Sequence, residues 1–416
     1  MRIILQNSKI IDKSSPFDGQ TKDILIENGT ITSIEDTIDT KQDDTLLNLE
    51  NLHVSQGWFD SSVCFGEPGL EDRETIKNGL NTAAKSGFTH IAVNPNSAPV
   101  IDNKSSVEFL ISKAQHAATN LYPIGAFTKQ SEGKDMAEMF DMQNSGAIAF
   151  GDYKKPIHNA NLLKVGLLYT QNFDGLLLSY PQDDSIAQHG LVHEGINSTK
   201  YGLKGIPAMA EELQIVRDLF LLEYTQGKLH IPTISTEKSV QLIKDAKRKG
   251  LNVTCSVAAH HLCITDHELQ YFDSRNKVRP PLRTPSDVEA LIQGLKDGTV
   301  DMITSDHQPI TIEDKKVEFQ NAKYGTIGLE SIFGALNGIL DLTLIIEKLT
   351  AKARFSIPEN SIKVGNKADI TFFNPAPTYT FTKNNIISTS KNSIFLNKEM
   401  KGIVYGVIAN RMLIQN

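Results

Sequence analysis

The spacing of apolar residues changes character twice along the chain. Over residues 1–52, short apolar runs at 3–6, 23–27, 31–34 and 46–49 are separated by turn residues such as Asn28-Gly29, and this pattern predicts β-strands. From about Val54, short apolar runs alternate with amphipathic stretches of ten or more residues, which predicts parallel strands joined by crossover helices. Strands are expected at 53–63, 89–93, 122–127, 147–150, 176–178, 229–234, 252–257 and 301–304. Helices fall between most of them, among them 71–86, 211–224 and 239–249. Eight strands with intervening helices argue for an α/β fold of the (β/α)8 TIM-barrel type. After a last helix near 342–352, short strands return at 369–373, 403–407 and 411–415. The strands of both chain ends are expected to pair in one small β-sandwich. The predicted division is thus 1–52 plus 358–416 for the β-sandwich and 53–357 for the barrel.

Length and composition agree with this picture. A chain of 416 residues accommodates a barrel of roughly 250 residues or more and a smaller companion. With 40% hydrophobic and 22% charged residues it is ordinary globular material, and a net charge of −7 gives no reason to expect nucleic acid or an anionic membrane as partner. Cys64, Cys255 and Cys263 are an odd number without framework spacing, which points to a reducing cytoplasm. The amino terminus has no apolar stretch of signal length, and no apolar run approaches the ~18 residues that span a bilayer.

The most informative stretch is Gly57-Trp58-Phe59-Asp60-Ser61-Ser62-Val63-Cys64-Phe65-Gly66-Glu67-Pro68-Gly69. It reads as a buried strand, stopped where proline lacks an amide donor and glycine accepts a positive φ. Side chains two apart share a face of a strand, so Ser62 and Cys64 are expected together at its carboxyl end.

This stretch resembles the first barrel strand of the amidohydrolase superfamily, and most closely that of dihydroorotases. There the strand reads Asp-x-His-x-His-x-Arg-Glu-Pro-Gly and its histidines bind zinc. Asp60, Glu67, Pro68 and Gly69 match, whereas Ser62 and Cys64 stand at the histidine positions and Gly66 at the arginine. Further matches cover almost the whole chain in order: Asn94-Pro95-Asn96, Gly202-Leu203-Lys204-Gly205-Ile206-Pro207-Ala208 with Glu211-Glu212, His260-His261-Leu262, Pro280-Pro281-Leu282-Arg283-Thr284, Ser305-Asp306-His307-Gln308-Pro309 and Gly328-Leu329-Glu330.

Carried over position by position, the resemblance implies a scaffold without its metal centre. The family's remaining histidine ligands align with Tyr180 and Thr233. Its acidic pair on strand 4 aligns with Asp152 and Tyr153, so half of it is kept. His230 is offset from Thr233 to the other strand face and reads as a packing or surface residue. Asp306 aligns with the catalytic aspartate, here a vestige expected to hold backbone amides or His307. The clamp for the substrate carboxylate aligns with Gly66, Asn96 and Ile310, of which only Asn96 survives, also as a vestige. A further family asparagine aligns with Arg279, read as a new anion contact or a loop ion pair. His260 and His261, taken as neighbours on a strand, should point to opposite faces and bind no common ion. Cys64 reads as a small residue filling the space of a lost imidazole, with a thiol activated by His307 as the rival.

The expected function is therefore a dihydroorotase-like pseudoenzyme of pyrimidine biosynthesis, with no cofactor, acting as a structural or regulatory partner of aspartate carbamoyltransferase. The resemblance also implies a homo-oligomer. Two alternatives stand beside it. One is an active cyclic-amide hydrolase in which Cys64, Asp152, Asp306 and His307 hold zinc. The other is a small-anion-binding module on a barrel scaffold.

Overall fold

The computed structural model describes residues 2–416; Met1, where the first domain is taken to begin, lies outside the described residues. The chain opens with β1 (Arg2–Ile10), β2 (Thr21–Glu27), β3 (Thr30–Glu35), β4 (Thr45–Leu47) and β5 (His53–Gln56). The barrel strands β6 (Trp58–Val63), β7 (Phe88–Val93), β8 (Asn120–Gly125), β9 (Ala149–Phe150) and β10 (Leu177–Leu178) follow. A two-stranded ribbon of β11 (Val192–His193) and β12 (Gly205–Ile206) then precedes the last barrel strands, β13 (Leu229–Ile231), β14 (Val253–Ala258) and β15 (Met302–Thr304). The chain closes with β16 (Ile370–Thr380), β17 (Glu399–Ala409) and β18 (Met412–Gln415).

The eight parallel strands from β6 to β15 lie side by side in chain order, the β11–β12 ribbon standing apart, with helices in the connections. The two edges are joined just past β15, where Val63 bridges His307 and the Cys64 amide donates to the His307 carbonyl at 2.7 Å. Asp60 reinforces that seam by accepting from the Ser305 amide at 3.0 Å and from the Thr304 hydroxyl. The barrel closes as the sequence predicts.

Strands from both chain ends form one sheet in the order β18-β17-β16-β5-β1-β2-β3, with β4 on β1. The single strand expected over 53–63 is two strands. β5 joins the terminal sheet, antiparallel to β16, and β6 enters the barrel. The change of sheet falls at Gly57, where a Cβ would lie 1.9 Å from Thr89 Oγ1, so only glycine lets the backbone pass. Trp58, Phe333 and Phe373 cement the sheet to the barrel, with ring centroids 5.1–5.7 Å apart in tilted and edge-to-face contacts. Among the described residues no helix is long and apolar enough to cross a membrane.

Candidate functional site

In a barrel of this kind, chemistry belongs at the carboxyl ends of the strands. Here Ser62, Asn94, Tyr153, Lys154, Tyr180 and Asp306 crowd round a space of about 10 Å³. One water needs roughly 10–15 Å³, so the mouth is closed by side chains. Tyr153, Thr233 and Asp306 hold positive φ values of 55°, 52° and 49°, the strained backbone that often marks a functional site.

Asp306 is buried at the centre of this cluster. Its expected partners, backbone amides or His307, are not the ones it has. Lys154 Nζ lies 2.7 Å from its carboxylate and 3.3 Å from Gln308 Oε1, and Ser62 Oγ donates at 3.5 Å. Burial raises the Asp306 pKa and the Lys154 charge pulls it back. Lys154, four residues beyond the end of β9, carried no signal in the sequence beyond its place in Gly151-Asp152-Tyr153-Lys154-Lys155.

The other positions have been refitted around that ion pair. Cys64 is buried, with Asn94 Nδ2 at 3.6 Å from its sulfur, and burial pushes its thiol up to about 11. The Tyr153 hydroxyl, beside Cys64 and Asp306, makes no hydrogen bond of normal geometry. His307 cannot activate the thiol as a base: its Nδ1 accepts from the Gly328 and Leu329 amides at 3.2 and 3.4 Å, and burial lowers its pKa to about 4. Asp152, the retained half of the acidic pair, accepts from the Thr128 amide at 2.9 Å and hydroxyl at 2.5 Å. It therefore pins a loop.

Asn96 is half-buried and lies outside the lining of the closed space. Asn94 is the asparagine that reaches in, donating to Ser62 Oγ at 3.0 Å, and the sequence singled it out only as part of a motif. Position 66 has lost more than its arginine. A Cβ on Gly66 would sit 1.7 Å from the Leu70 carbonyl oxygen, so the loop has closed where a side chain would start. Ile310 faces away, into a separate cavity of about 650 Å³ shared with Thr311, Lys316 and Lys383. Arg279 forms no ion pair among the described residues; its guanidinium lies over the Tyr324 ring, 4.5 Å from the centroid.

The remaining histidines are structural. His230 is buried and has a hydroxyl at each ring nitrogen, Thr254 at 2.9 Å and Ser256 at 3.1 Å. His260 and His261 sit in the one-turn helix Ala259–Cys263, not on a strand, and their rings lie 4.4 Å apart, not on opposite faces. His261 Nε2 donates to the Pro280 carbonyl at 3.0 Å, and burial lowers both pKa values, leaving two neutral rings. The signature residues Glu211 and Arg283 form a buried tie at 3.4 Å, which Ser235 joins.

Zinc requires three or four nitrogen, sulfur or oxygen donors converging at ~2.0–2.3 Å. Among the described residues no group of three or more His, Cys, Asp or Glu side chains is placed to hold an ion. Cys64, Asp152, Asp306 and His307 do not converge as a ligand set, because each is engaged or protonated in the way given above. The residues present do not fit the ion.

A family described as Dihydro-orotase-like matches residues 53–239. The dihydroorotase of Syntrophus aciditrophicus is 37% identical over 425 residues, covering 100% of both chains. That of Caldanaerobacter subterraneus is 38% identical over 425 residues, covering 100% of this chain and 98% of its own. Among solved structures, the L-hydantoinase (dihydropyrimidinase) from Arthrobacter aurescens superposes with a TM-score of 0.87 at 20% identity, covering 100% of this chain and 96% of its own, a likeness of fold. These matches overturn the expectation of a protein without a cofactor, since the full-length relatives are dihydroorotases, which are metal-dependent amidohydrolases. Against that stands the donor set of this particular mouth. Full-length identity of 37–38%, on the fold just described, shows that the chain belongs to the dihydroorotase family.

Proposed function

We propose that this dihydroorotase-family chain serves pyrimidine biosynthesis as a folded component that does not hydrolyse dihydroorotate. The single observation that supports this reading is the Lys154–Asp306 ion pair inside a space of about 10 Å³. Pockets that take small molecules are of the order of 300–1,000 Å³, and a general base must reach a proton to take it. An Asp306 already bonded to an ammonium at the edge of so small a space has no room beside it for a substrate whose proton it could take. Asp306 and Asn96 are in this reading vestiges of catalysis and substrate binding. The two domains expected from the sequence, 1–52 with 358–416 and 53–357, act together in a cytoplasmic homo-oligomer, with β5 (His53–Gln56) counted to the terminal sheet that it joins. Aspartate carbamoyltransferase is the partner that the family resemblance suggests, and co-purification of the two chains tests it.

The names of the full-length relatives favour a second reading, an active cyclic-amide hydrolase of the dihydroorotase type with a remodelled site. It requires Lys154 to leave Asp306 and the mouth to open. One assay separates the two: purified protein, reconstituted with zinc, is given dihydroorotate beside a dihydroorotase relative as positive control. The first reading expects no turnover above background, whereas turnover within about tenfold of the control establishes the second.

A further inference from the structure

The cavity of about 650 Å³ that Ile310 enters shares no lining residue with the closed mouth. Three pieces of chain supply most of its wall: 310–316 beyond β15, 273–275 beyond β14, and 383–396 in the excursion between β16 and β17. Its volume lies in the range of sites that take small molecules. Ile310 and Leu396 make part of the wall apolar, and Lys315, Lys316, Lys383 and Lys391 bring positive charge to the rest.

None of these four lysines has a carboxylate partner among the described residues. Lys315 is 4% exposed, and its Nζ donates to the Lys277 and Lys323 carbonyls, each at 3.0 Å. Lys391 Nζ donates to the Ile386 and Ser388 carbonyls at 2.9 and 2.6 Å. An ammonium has three N–H donors, so each of these two keeps one in hand. Lys316 and Lys383 are exposed and bonded to no other described residue. The arginine of the wall, Arg275, is taken by Asp273 at 2.7 Å. Asp72 and Glu313 are the acids that remain, so four lysines face two carboxylates and the wall carries a surplus of two positive charges. Burial, and then the charge of Lys277, lowers the Lys315 pKa to about 7, as befits an ammonium that still lacks an anion.

We propose that this cavity binds a phosphate monoester with a small apolar or aromatic body. Near neutral pH such an ester carries a charge of about −1.5 to −2, which matches the surplus. Lysine ammoniums are compact point charges that suit phosphate, whereas a planar carboxylate is better met by the arginine fork, and the fork here is occupied. The body of the ester rests on Ile310 and Leu396. The inference is independent of whether the barrel hydrolyses anything.

Calorimetric titration of the full-length chain with phenyl phosphate at low salt tests it. A Kd on the order of 0.1 mM is expected for a ligand of that size. Inorganic phosphate and phenol, each only half of the ligand, should bind about tenfold more weakly or worse, and so should phthalate, which carries its charges as carboxylates. Lys316→Glu and Lys383→Glu should each weaken phenyl phosphate by about tenfold. Because both side chains are exposed and unpartnered, the unfolding midpoint without ligand should stay where it is in either variant. Lys238→Glu, an exposed lysine on the helix Glu237–Arg248, should change neither quantity. Any of three results overturns the proposal: no heat of binding up to roughly 5 mM phenyl phosphate, phthalate bound as tightly, or Lys238→Glu weakening the ligand as much as Lys316→Glu and Lys383→Glu do.

Discussion

Lys154 places its ammonium 2.7 Å from the Asp306 carboxylate at the barrel mouth, and the two side chains are only 10 and 2% exposed. A positive charge is thus supplied to the buried aspartate from within the chain, by a residue that follows β9 and reaches across the mouth of the barrel. The pair is satisfied further by Ser62 and Gln308. Removing one member of a buried pair leaves an uncompensated charge, which typically costs 3–5 kcal/mol, whereas removing both together is far milder. Lys154→Met and Asp306→Leu are each expected to destabilise the fold by about 3 kcal/mol in urea titrations, and the double variant by clearly less than their sum. Additive single effects would show that the two groups do not act as a pair.

Gly66 yields a second prediction. Because a Cβ there would meet the Leu70 carbonyl at 1.7 Å, Gly66→Arg cannot restore a substrate contact without displacing the loop. It is expected to lower stability by more than ~3 kcal/mol and to bring no hydrolysis of dihydroorotate. A well-folded Gly66→Arg protein, judged by its unfolding midpoint, would contradict the loop geometry.

The buried histidines set the direction of the pH dependence. His230, His261 and His307 have folded pKa values of about 3, 3 and 4, against 6.5 when exposed. The unfolded chain therefore binds more protons than the native one between those values. The stability they contribute is complete above 6.5 and is lost as pH falls, by up to about 1.4 kcal/mol per histidine per pH unit. Asp60 runs the other way, since burial raises its carboxyl from 3.8 to about 6 and its contribution is lost as pH rises through that value. His260 adds to these histidines and the raised Asp306 carboxyl to Asp60, but the histidine shifts span the whole window from 6.5 to about 4, so the protein is acid-labile. Urea midpoints should fall between pH 6.5 and 4.5, and His230→Gln should flatten the slope. A midpoint that rises on acidification would refute the assignment.

Thiol chemistry gives a fourth test. Burial pushes Cys64 up to about 11 and Cys255 up to about 12. Neither presents a thiolate at neutral pH, and iodoacetamide should modify them only after unfolding. Rapid native alkylation of Cys64, read by peptide mass spectrometry, would revive the activated-thiol alternative.

The periodicity of apolar residues alone determined the architecture of this protein. Strand and helix periods are local properties of backbone geometry, so the eight barrel strands and the terminal sheet were legible before any contact was known. That Ser62, Cys64, Tyr180 and Thr233 stand where the family has imidazoles was equally legible, because residue type is read directly from the chain. What filled the vacated positions was not. Lys154 meets Asp306 across 152 residues of chain, and Asn94 replaces Asn96 as the residue that reaches the mouth. The same holds for His260 and His261, read as a strand pair and found in a helical turn. Chain pattern fixes which face a residue occupies within its own element. Which neighbours it meets depends on how distant elements close on one another, and only the folded barrel decides that.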